Sequence, residues 1–264
     1  MVAPPSTSAS TGCPARRLEL WSIDLDSGRE QLIDFGHRHG LALPRPTTDA
    51  RAAPPRDPAR EAARIALRVL LSGHVGSDVA RRPFVLARAG KPALDASGGA
   101  ATVEFSLAHC DSAAIVAISR DGPVGVDIEA PRTVRLTEHR RVMLLAAAAG
   151  LSPTEDLPVA TPEAHFLQAW VRLEALAKAT GEGLGALLGR LEDSAAPLHA
   201  TRLDGRAVRV RDVRLKPCGG LALFAAVAGT GSALDTGAPP LAAARMPLDP
   251  GWLEHCIAGH APRA

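Results

Sequence analysis

One helix dominates the sequence pattern of this chain. Residues Pro162 to Ala179 give the strongest helical signal among the 264 residues, and Gly181 and Gly183 follow at once. Glycine adopts the left-handed conformation that ends many helices, so the helix is predicted to stop there. The strands predicted around this helix decide the fold class.

Strand patterns lie on both sides of the helix. Leu18 to Asp26 alternates apolar and polar residues, which is typical of a half-buried strand. Ala113 to Ser119, a turn, and then Val124 to Ile128 predict a hairpin. Further predicted elements are helices over Ala59–Gly73 and Leu136–Ala149, short strands over Phe84–Ala87 and Val103–Leu107, and a strand pair over 207–215 and 221–228.

Locally paired strands with interspersed helices indicate an α+β fold. Each half contains about one main helix and three strands, which suggests an internal duplication. We expect a disordered lead-in over residues 1–16 and an irregular connection over 40–58. An N-terminal half over 17–121, a C-terminal half over 122–228 and a loosely packed tail over 229–264 complete the predicted organisation.

Composition excludes several classes of protein. Lys and Arg total 30 against 28 Asp and Glu, and a net charge of +2 argues against a general nucleic-acid binder. The four cysteines form no C-x-x-C pair, so a zinc site or disulfide scaffold is not expected. No apolar stretch approaches the ~18 residues of a membrane span, and residues 1–17 lack the apolar region of a signal peptide. We therefore expect a cytoplasmic protein.

Gly125-Val-Asp-Ile-Glu129 is the first motif that carries chemistry. Side chains at i and i+2 of a strand share a face, so Asp127 and Glu129 lie together, about 7 Å apart along the strand. Mg²⁺ binds such carboxylates together with substrate phosphates. The motif alone also fits a solvated acidic strand face, and that alternative stays open.

Trp170, Glu174 and Lys178 are spaced by four residues and share one helix face. An ordinary surface ion pair between Glu174 and Lys178 is the simplest interpretation. A tryptophan on the same stripe indicates a half-buried face instead. His109, at the end of a strand, and Lys91, on a turn before proline, are weaker candidates, because solvated residues of these types are common.

Together and in this order, the motifs resemble the phosphopantetheinyl transferase superfamily. The sequence has G-K-P at residue 90, F-S-x-x-H at 105, G-V-D-I-E at 125, and W-x-x-x-E-x-x-x-K at 170 with Gly-x-Gly after it. It is similar to the larger, two-halved type that acts on synthetase and synthase carrier proteins. The resemblance runs from about Leu18 to Ala228, and its specific part is the last two motifs, about forty residues apart.

The resemblance implies two pseudo-repeated α/β halves with an active site between them. It also implies the residues that follow, matched motif by motif: Asp127, Glu129 and Glu174 as Mg²⁺ ligands, Lys178 at the phosphates, His109 and Lys91 at the nucleotide end of coenzyme A, and Arg64 as a further phosphate ligand, with Arg68 one turn along. Glu174, Lys178 and His109 are the implied catalytic residues. The implied partners are coenzyme A and an apo acyl or peptidyl carrier protein.

The implied reaction fits these residue types. A carrier serine attacks the β-phosphorus of coenzyme A, and 3′,5′-ADP leaves. The transition state spreads negative charge over phosphoryl oxygens, so the site has to supply positive charge. Glu174 is able to accept the serine proton, although metal ligation competes for its oxygens. Lys178 is a candidate proton donor to the leaving group.

Two positions depart from the family pattern. Leu173 stands where many members have lysine, and Ala108 stands where serine is frequent. Arg172 is a candidate replacement for the lost charge. Both departures bear on coenzyme A affinity, and neither removes a metal ligand.

Two other functions remain open. A non-catalytic carrier-binding scaffold is one, although it conflicts with the intact acidic and lysine positions. A Mg²⁺-dependent nucleotide pyrophosphate hydrolase is the other. The chain has no G-x-x-x-x-G-K-[ST], G-x-S-x-G or H-E-x-x-H motif.

A cluster of Arg132, Arg135, His139, Arg140 and Arg141 fits an acidic partner or, more simply, a solvated helix face. An internally duplicated chain is expected to be a monomer.

Overall fold

The structure is a computed structural model. It describes residues 17–42, 57–86, 90–95, 103–151, 161–193, 198, 201–218, 220–235 and 241–262. The predicted lead-in over 1–16 and most of the predicted connection over 40–58 lie outside the described residues.

Within these residues the chain forms helices and two four-stranded sheets. The helices are α1 Leu25–Arg38, α2 Pro58–Val75, α3 Ser77–Arg81, α4 Glu138–Ala149, α5 Pro162–Thr180, α6 Leu184–Asp193 and α7 Pro250–Ile257. The strands are β1 Leu18–Asp24, β2 Val85–Leu86, β3 Pro92–Ala93, β4 Glu104–His109, β5 Ala113–Ser119, β6 Val124–Glu129, β7 Arg202–Leu203, β8 Arg206–Ala207, β9 Arg209–Arg214, β10 Phe224–Gly229, β11 Leu241–Ala242 and β12 Ala244–Arg245. The α+β class is confirmed.

The two large sheets share one pairing pattern. The N-terminal sheet has the order β12-β1-β5-β4, and the C-terminal sheet has the order β11-β9-β10-β6. In each sheet the first pair is parallel and the other two are antiparallel. This correspondence supports two similar α/β halves. The division at residue 121 stays a prediction.

The sheets pack face to face between two helical layers. Alternate residues of β5 point to opposite sides, so Ile115 joins a core between the sheets while Val116 packs under the helices of the N-terminal half. From the other sheet, Val126 and Val227 enter the same central core. A third core, which includes Val171 of α5, lies between the C-terminal sheet and its own helices. The result is a four-layer arrangement.

The predicted hairpin of β5 with β6 is wrong. The strand over Ala113–Ser119 has the predicted bounds, but β1 and β4 occupy both of its edges. The chain therefore crosses to the second sheet, where β6 pairs with β10. The predicted pair over 207–215 and 221–228 is present as antiparallel β9 and β10.

Two further predictions need correction at the chain ends. The first strand stops at Asp24 because its carboxylate caps α1, accepting from the backbone N–H groups of Asp26 at 3.1 Å and Ser27 at 3.2 Å. The tail was expected to be loosely packed, but residues 241–262 are not. Met246 N–H donates to Ser22 C=O at 2.8 Å, and Leu253 of α7 is fully buried against the N-terminal half.

This C-terminal segment joins the two sheets. β11 extends the C-terminal sheet beside β9, and β12 extends the N-terminal sheet beside β1. Arg245 forms an ion pair with Asp24. Five consecutive residues thus tie the far edges of both sheets together.

Gly125 lets α5 lie directly on β6. A Cβ at this position would overlap the carbonyl oxygen of Ala175 and the amide nitrogen of Ala179, and would lie 2.9 Å from Cβ of Lys178. The backbone of α5 therefore approaches β6 more closely than any side chain at residue 125 permits. This contact places the next residues of β6 under the middle of α5.

Gly125→Ala is expected to lower the free energy of unfolding by about 3 kcal/mol or more, because the added methyl group forces two packed backbones apart. Gly189→Ala is the matched control, since a Cβ there meets nothing within 4 Å and alanine favours the helix. Urea unfolding followed by circular dichroism measures both. Equal stability of the two variants would contradict this packing.

Candidate active site

One stripe of α5 stays accessible in the part of the helix that is otherwise buried. From Trp170 to Lys178, the half-buried positions are Trp170, Glu174 and Lys178, and the residues between them are buried. The predicted common face is therefore present. It is an open stripe along a core helix, so its charged groups are partly desolvated rather than fully hydrated.

Asp127 and Lys178 form the centre of the site. The ammonium Nζ of Lys178 lies 2.7 Å from Oδ1 of Asp127 and also donates to the carbonyl oxygen of Val126 at 3.1 Å. The Asp127 side chain is 11% exposed and that of Lys178 is 30% exposed. The pair joins β6 to α5, so the ion-pair partner of Lys178 is Asp127 rather than Glu174.

Negative charge is concentrated around this pair. Burial raises the pKa of Asp127 to about 6, and nearby Glu174 and Glu129 push it the same way, while Lys178 acts against them. Burial also raises the pKa of Glu174, Lys178 opposes the rise, and Glu129 adds to it. The three predicted metal ligands therefore share one electrostatic environment.

Glu129 has a cationic partner of its own. Arg132 donates to both carboxylate oxygens of Glu129, each at 2.8 Å. The Arg132 side chain is 47% exposed, so this pair lies at the mouth of the site. As placed, Asp127 faces Lys178 and Glu129 faces Arg132. No group of three His, Cys, Asp or Glu side chains in the described ranges converges at metal-ligand distances.

The donor set nevertheless fits a hard divalent cation. Asp127, Glu129 and Glu174 offer only carboxylate oxygens, which Mg²⁺ prefers over nitrogen or sulfur ligands. The ammonium of Lys178 and the guanidinium of Arg132 show that cations already occupy positions beside these oxygens. The metal assignment of the three residues remains a proposal.

Positive charge from the N-terminal half lies near His109. Burial lowers the pKa of His109; among the neighbouring charges Asp57 opposes this, and Arg60, Lys178 and Arg64 reinforce it. His109 ends β4, Arg60 and Arg64 are exposed on the first turns of α2, and Lys178 belongs to α5. Arg60 and Arg64 of the N-terminal half and Lys178 of the C-terminal half therefore all lie close enough to His109 to influence its ionisation.

Arg60 was missed in the sequence. It precedes Arg64 by four residues, so both side chains share a face of α2, and both are exposed in the structure. The four-residue spacing of the two arginines was the pattern in the sequence that could have identified Arg60. Arg68, the alternative to Arg64, is buried instead. Its guanidinium donates to the carbonyl oxygens of Ala80 and Arg82 and lies 4.1 Å from the Phe84 ring centroid.

Arg172 does not replace the missing lysine at position 173. Its guanidinium forms a two-point ion pair with Asp212 of β9, at 2.8 and 2.7 Å, beneath α5. Both side chains are nearly fully buried, at 6% and 5% exposed. Leu173 is fully buried in the core of the C-terminal half, so its position faces away from the stripe.

Lys91 lies on the outer edge of β6. Its ammonium donates to the carbonyl oxygen of Val124 at 2.8 Å and lies 3.7 Å from Oε2 of Glu104. Lys178 binds the carbonyl oxygen two residues further along the same strand, about 7 Å away. Lys91 is thus held by the main chain, and its contact with a nucleotide stays a prediction.

No family model matches the chain. Among curated proteins it is similar to the 4′-phosphopantetheinyl transferase HetI of Nostoc sp. (strain PCC 7120), with 28% identity over 188 residues. The match covers 70% of this chain and 77% of that relative.

None of the described helices combines the length and the apolar character needed to cross a bilayer.

Asp127→Asn is expected to change how stability depends on pH. The raised pKa means that the folded protein binds more protons than the unfolded chain between about pH 4 and pH 6, so wild-type stability falls as pH rises through that window. The amide side chain of the variant cannot ionise, and relative to wild type the variant should gain up to about 3 kcal/mol across it. Chemical denaturation in EDTA at several pH values measures this.

Asp78→Asn is the control for that series, because the Asp78 side chain is 94% exposed. Its stability relative to wild type should change little between the same pH values. A pH-independent difference for Asp127→Asn would contradict the raised pKa.

Proposed function

We propose that this chain, a member of the 4′-phosphopantetheinyl transferase superfamily, transfers phosphopantetheine from coenzyme A to a serine of an apo acyl or peptidyl carrier protein. The observation that carries the proposal is the position of Lys178 between two sets of charged residues. Its ammonium acts on the carboxylates of Asp127 and Glu174, and it also acts on His109, which lies within the influence of Arg60 and Arg64 of α2. This arrangement suits a substrate with several phosphates and a bound cation.

The cations supply a binding surface for the nucleotide end of coenzyme A. Arg60 and Arg64 are exposed on the first turns of α2, close enough to His109 to influence its ionisation. Guanidinium groups bind phosphate oxygens through paired N–H donors. We place the phosphates of coenzyme A over these residues, with the pyrophosphate toward Lys178.

Asp127, Glu129 and Glu174 would hold Mg²⁺ at the pyrophosphate. When bound, the cation would polarise the phosphoryl oxygens and offset charge in the transition state. Glu129 becomes a ligand only when its carboxylate releases Arg132, whose guanidinium then stays at the mouth of the site. Lys178 keeps Asp127 ionised in the absence of metal, since its ammonium opposes the effect of burial.

In this proposal Lys178 stabilises charge on the leaving phosphate, and Glu174 accepts the proton of the attacking serine. Two of the three N–H donors of Lys178 are directed to Asp127 and Val126, so a third suits the leaving phosphate oxygen. Glu174 lies one helical turn away, and its raised pKa favours accepting a proton from the attacking serine. The products are the modified serine and 3′,5′-ADP.

The carrier protein would approach beside Glu129. Arg135, His139 and Arg140 are exposed around the start of α4, next to Arg132. Arg141 is not part of this surface, because its guanidinium lies 4.7 Å from the Phe166 ring centroid. We further propose that the protein acts as a cytoplasmic monomer, since one chain supplies both sides of the site.

Intact-mass analysis tests the transfer. Wild-type protein, coenzyme A, Mg²⁺ and an apo-carrier protein should give a carrier heavier by one phosphopantetheine, and EDTA should abolish the product. Glu174→Gln should lower the rate by about a hundredfold or more, because it removes a cation ligand and a proton acceptor. Glu163→Gln, on the exposed first turn of the same helix, is the matched control and should leave the rate unchanged.

The other outcomes separate the alternatives. Coenzyme A cleavage without carrier modification would indicate a hydrolase. No product with several unrelated carriers, and no 3′,5′-ADP, would indicate a non-catalytic scaffold. Equal rates for Glu174→Gln and Glu163→Gln would contradict the role of Glu174.

A further inference from the structure

The two halves meet at strands that do not pair. β4 is an edge strand of the N-terminal sheet and β6 is an edge strand of the C-terminal sheet. Among the described residues, no strand pairing joins β4 to β6. β4 ends at His109 and β6 carries Asp127, so the relative position of these two edges fixes the geometry of the site.

Side chains bind the open edge of β6. Lys91 donates to the carbonyl oxygen of Val124, and Lys178 donates to the carbonyl oxygen of Val126. The N–H of Val126 donates to the hydroxyl oxygen of Ser106 at 3.1 Å. These three bonds take the place of a strand ladder along this edge.

Ser106 differs from the two lysines in where it comes from. It belongs to β4, and so its bond crosses directly from one sheet to the other. The residue is only 5% exposed, so the bond is shielded from water. Leaving the Val126 N–H without an acceptor at this depth is unfavourable. The hydroxyl of Ser106 therefore contributes a hydrogen bond in addition to packing.

Val126 is held from both halves at once. Its N–H is bound by Ser106 of the N-terminal sheet, and its carbonyl oxygen is bound by Lys178 of α5. The same ammonium of Lys178 binds Asp127, the next residue. A displacement of Val126 therefore moves the Asp127–Lys178 pair relative to His109.

We propose that Ser106 is a positioning residue for the transfer reaction, which holds β6 in register with β4 so that the acidic group and His109 face one substrate. This inference rests on the proposed function. Ser106 itself touches neither substrate nor cation. Its effect passes through the backbone of Val126.

The fold contains a matched control. Ser119, on β5 of the same sheet, is also 5% exposed, and its hydroxyl oxygen accepts one backbone N–H, that of Asp121, at 3.2 Å. The bond of Ser119 stays within its own turn, whereas the bond of Ser106 crosses between the sheets. Substitution of either serine by alanine removes one hydroxyl acceptor of a backbone N–H from an equally buried residue, although the Ser119 bond itself is only partly buried.

Steady-state kinetics compare the two variants. Ser106→Ala should lower kcat about ten- to hundredfold, since small displacements of reacting groups have effects of this size. Ser119→Ala should keep kcat within about twofold of the wild-type value, because its hydrogen bond does not reach β6. Ser106→Thr keeps the hydroxyl and should recover most of the rate. Equal rates for the two alanine variants would overturn the proposal.

Amide hydrogen exchange gives a readout that does not need catalysis. In Ser106→Ala the amide of Val126 should exchange at least about tenfold faster, and in Ser119→Ala it should exchange as in wild type. An unchanged Val126 amide in Ser106→Ala would overturn the inference. Absence of transfer by the wild-type protein would instead refute the proposed function, while the exchange result still decides whether Ser106 holds the Val126 amide.

Discussion

The partly buried ion pair between Asp127 and Lys178 is the interaction on which the site depends. Taking the Asp127 carboxylate largely out of water is costly, and a desolvated ion pair often contributes little net stability. Here the surrounding carboxylates raise the pKa of Asp127 further. Such an arrangement is better explained by chemistry than by folding, because apolar residues would fill the space at lower cost.

The fold is built to bring α5 over β6 and to bring β4 beside it. Gly125 allows the close approach of α5, and the four-layer arrangement buries both sheets on two faces. The C-terminal segment joins the far edges of the sheets, and side chains bind the near edge at β6. The two halves are thus joined at the far edges of their sheets and also at the near edges, where His109 ends β4 and Asp127 lies on β6.

The sequence predicted the faces of single strands and helices better than the connections between them. Period-two alternation at Val126 and Ile128 and the four-residue spacing of Glu174 and Lys178 are local patterns, and both faces are as expected. The failed hairpin of β5 with β6 was a long-range question, because which edge remains open depends on β1 and β4. The packing of residues 241–262 could not be predicted from the local sequence for the same reason, because its short strands are stabilised by partners that are distant in the sequence.

The positions of several arginines also depend on contacts with residues that are distant in the sequence. Spacing alone did not separate Arg64 from Arg68, and burial under Phe84 does so in the structure. Arg172 lies on the far side of α5 against Asp212, a partner forty residues away that no helical pattern reveals. Arg60 could have been identified from the sequence, because Arg60 and Arg64 are four residues apart on a predicted helix.

The most direct test of an active site shared by the two halves is amide hydrogen exchange of the protein with and without coenzyme A and Mg²⁺. A single site built from both halves predicts slower exchange in four segments: the first turns of α2, the end of β4, the end of β6, and α5 around Glu174. Protection confined to one half, or absent from all four segments at saturating coenzyme A, would contradict the account.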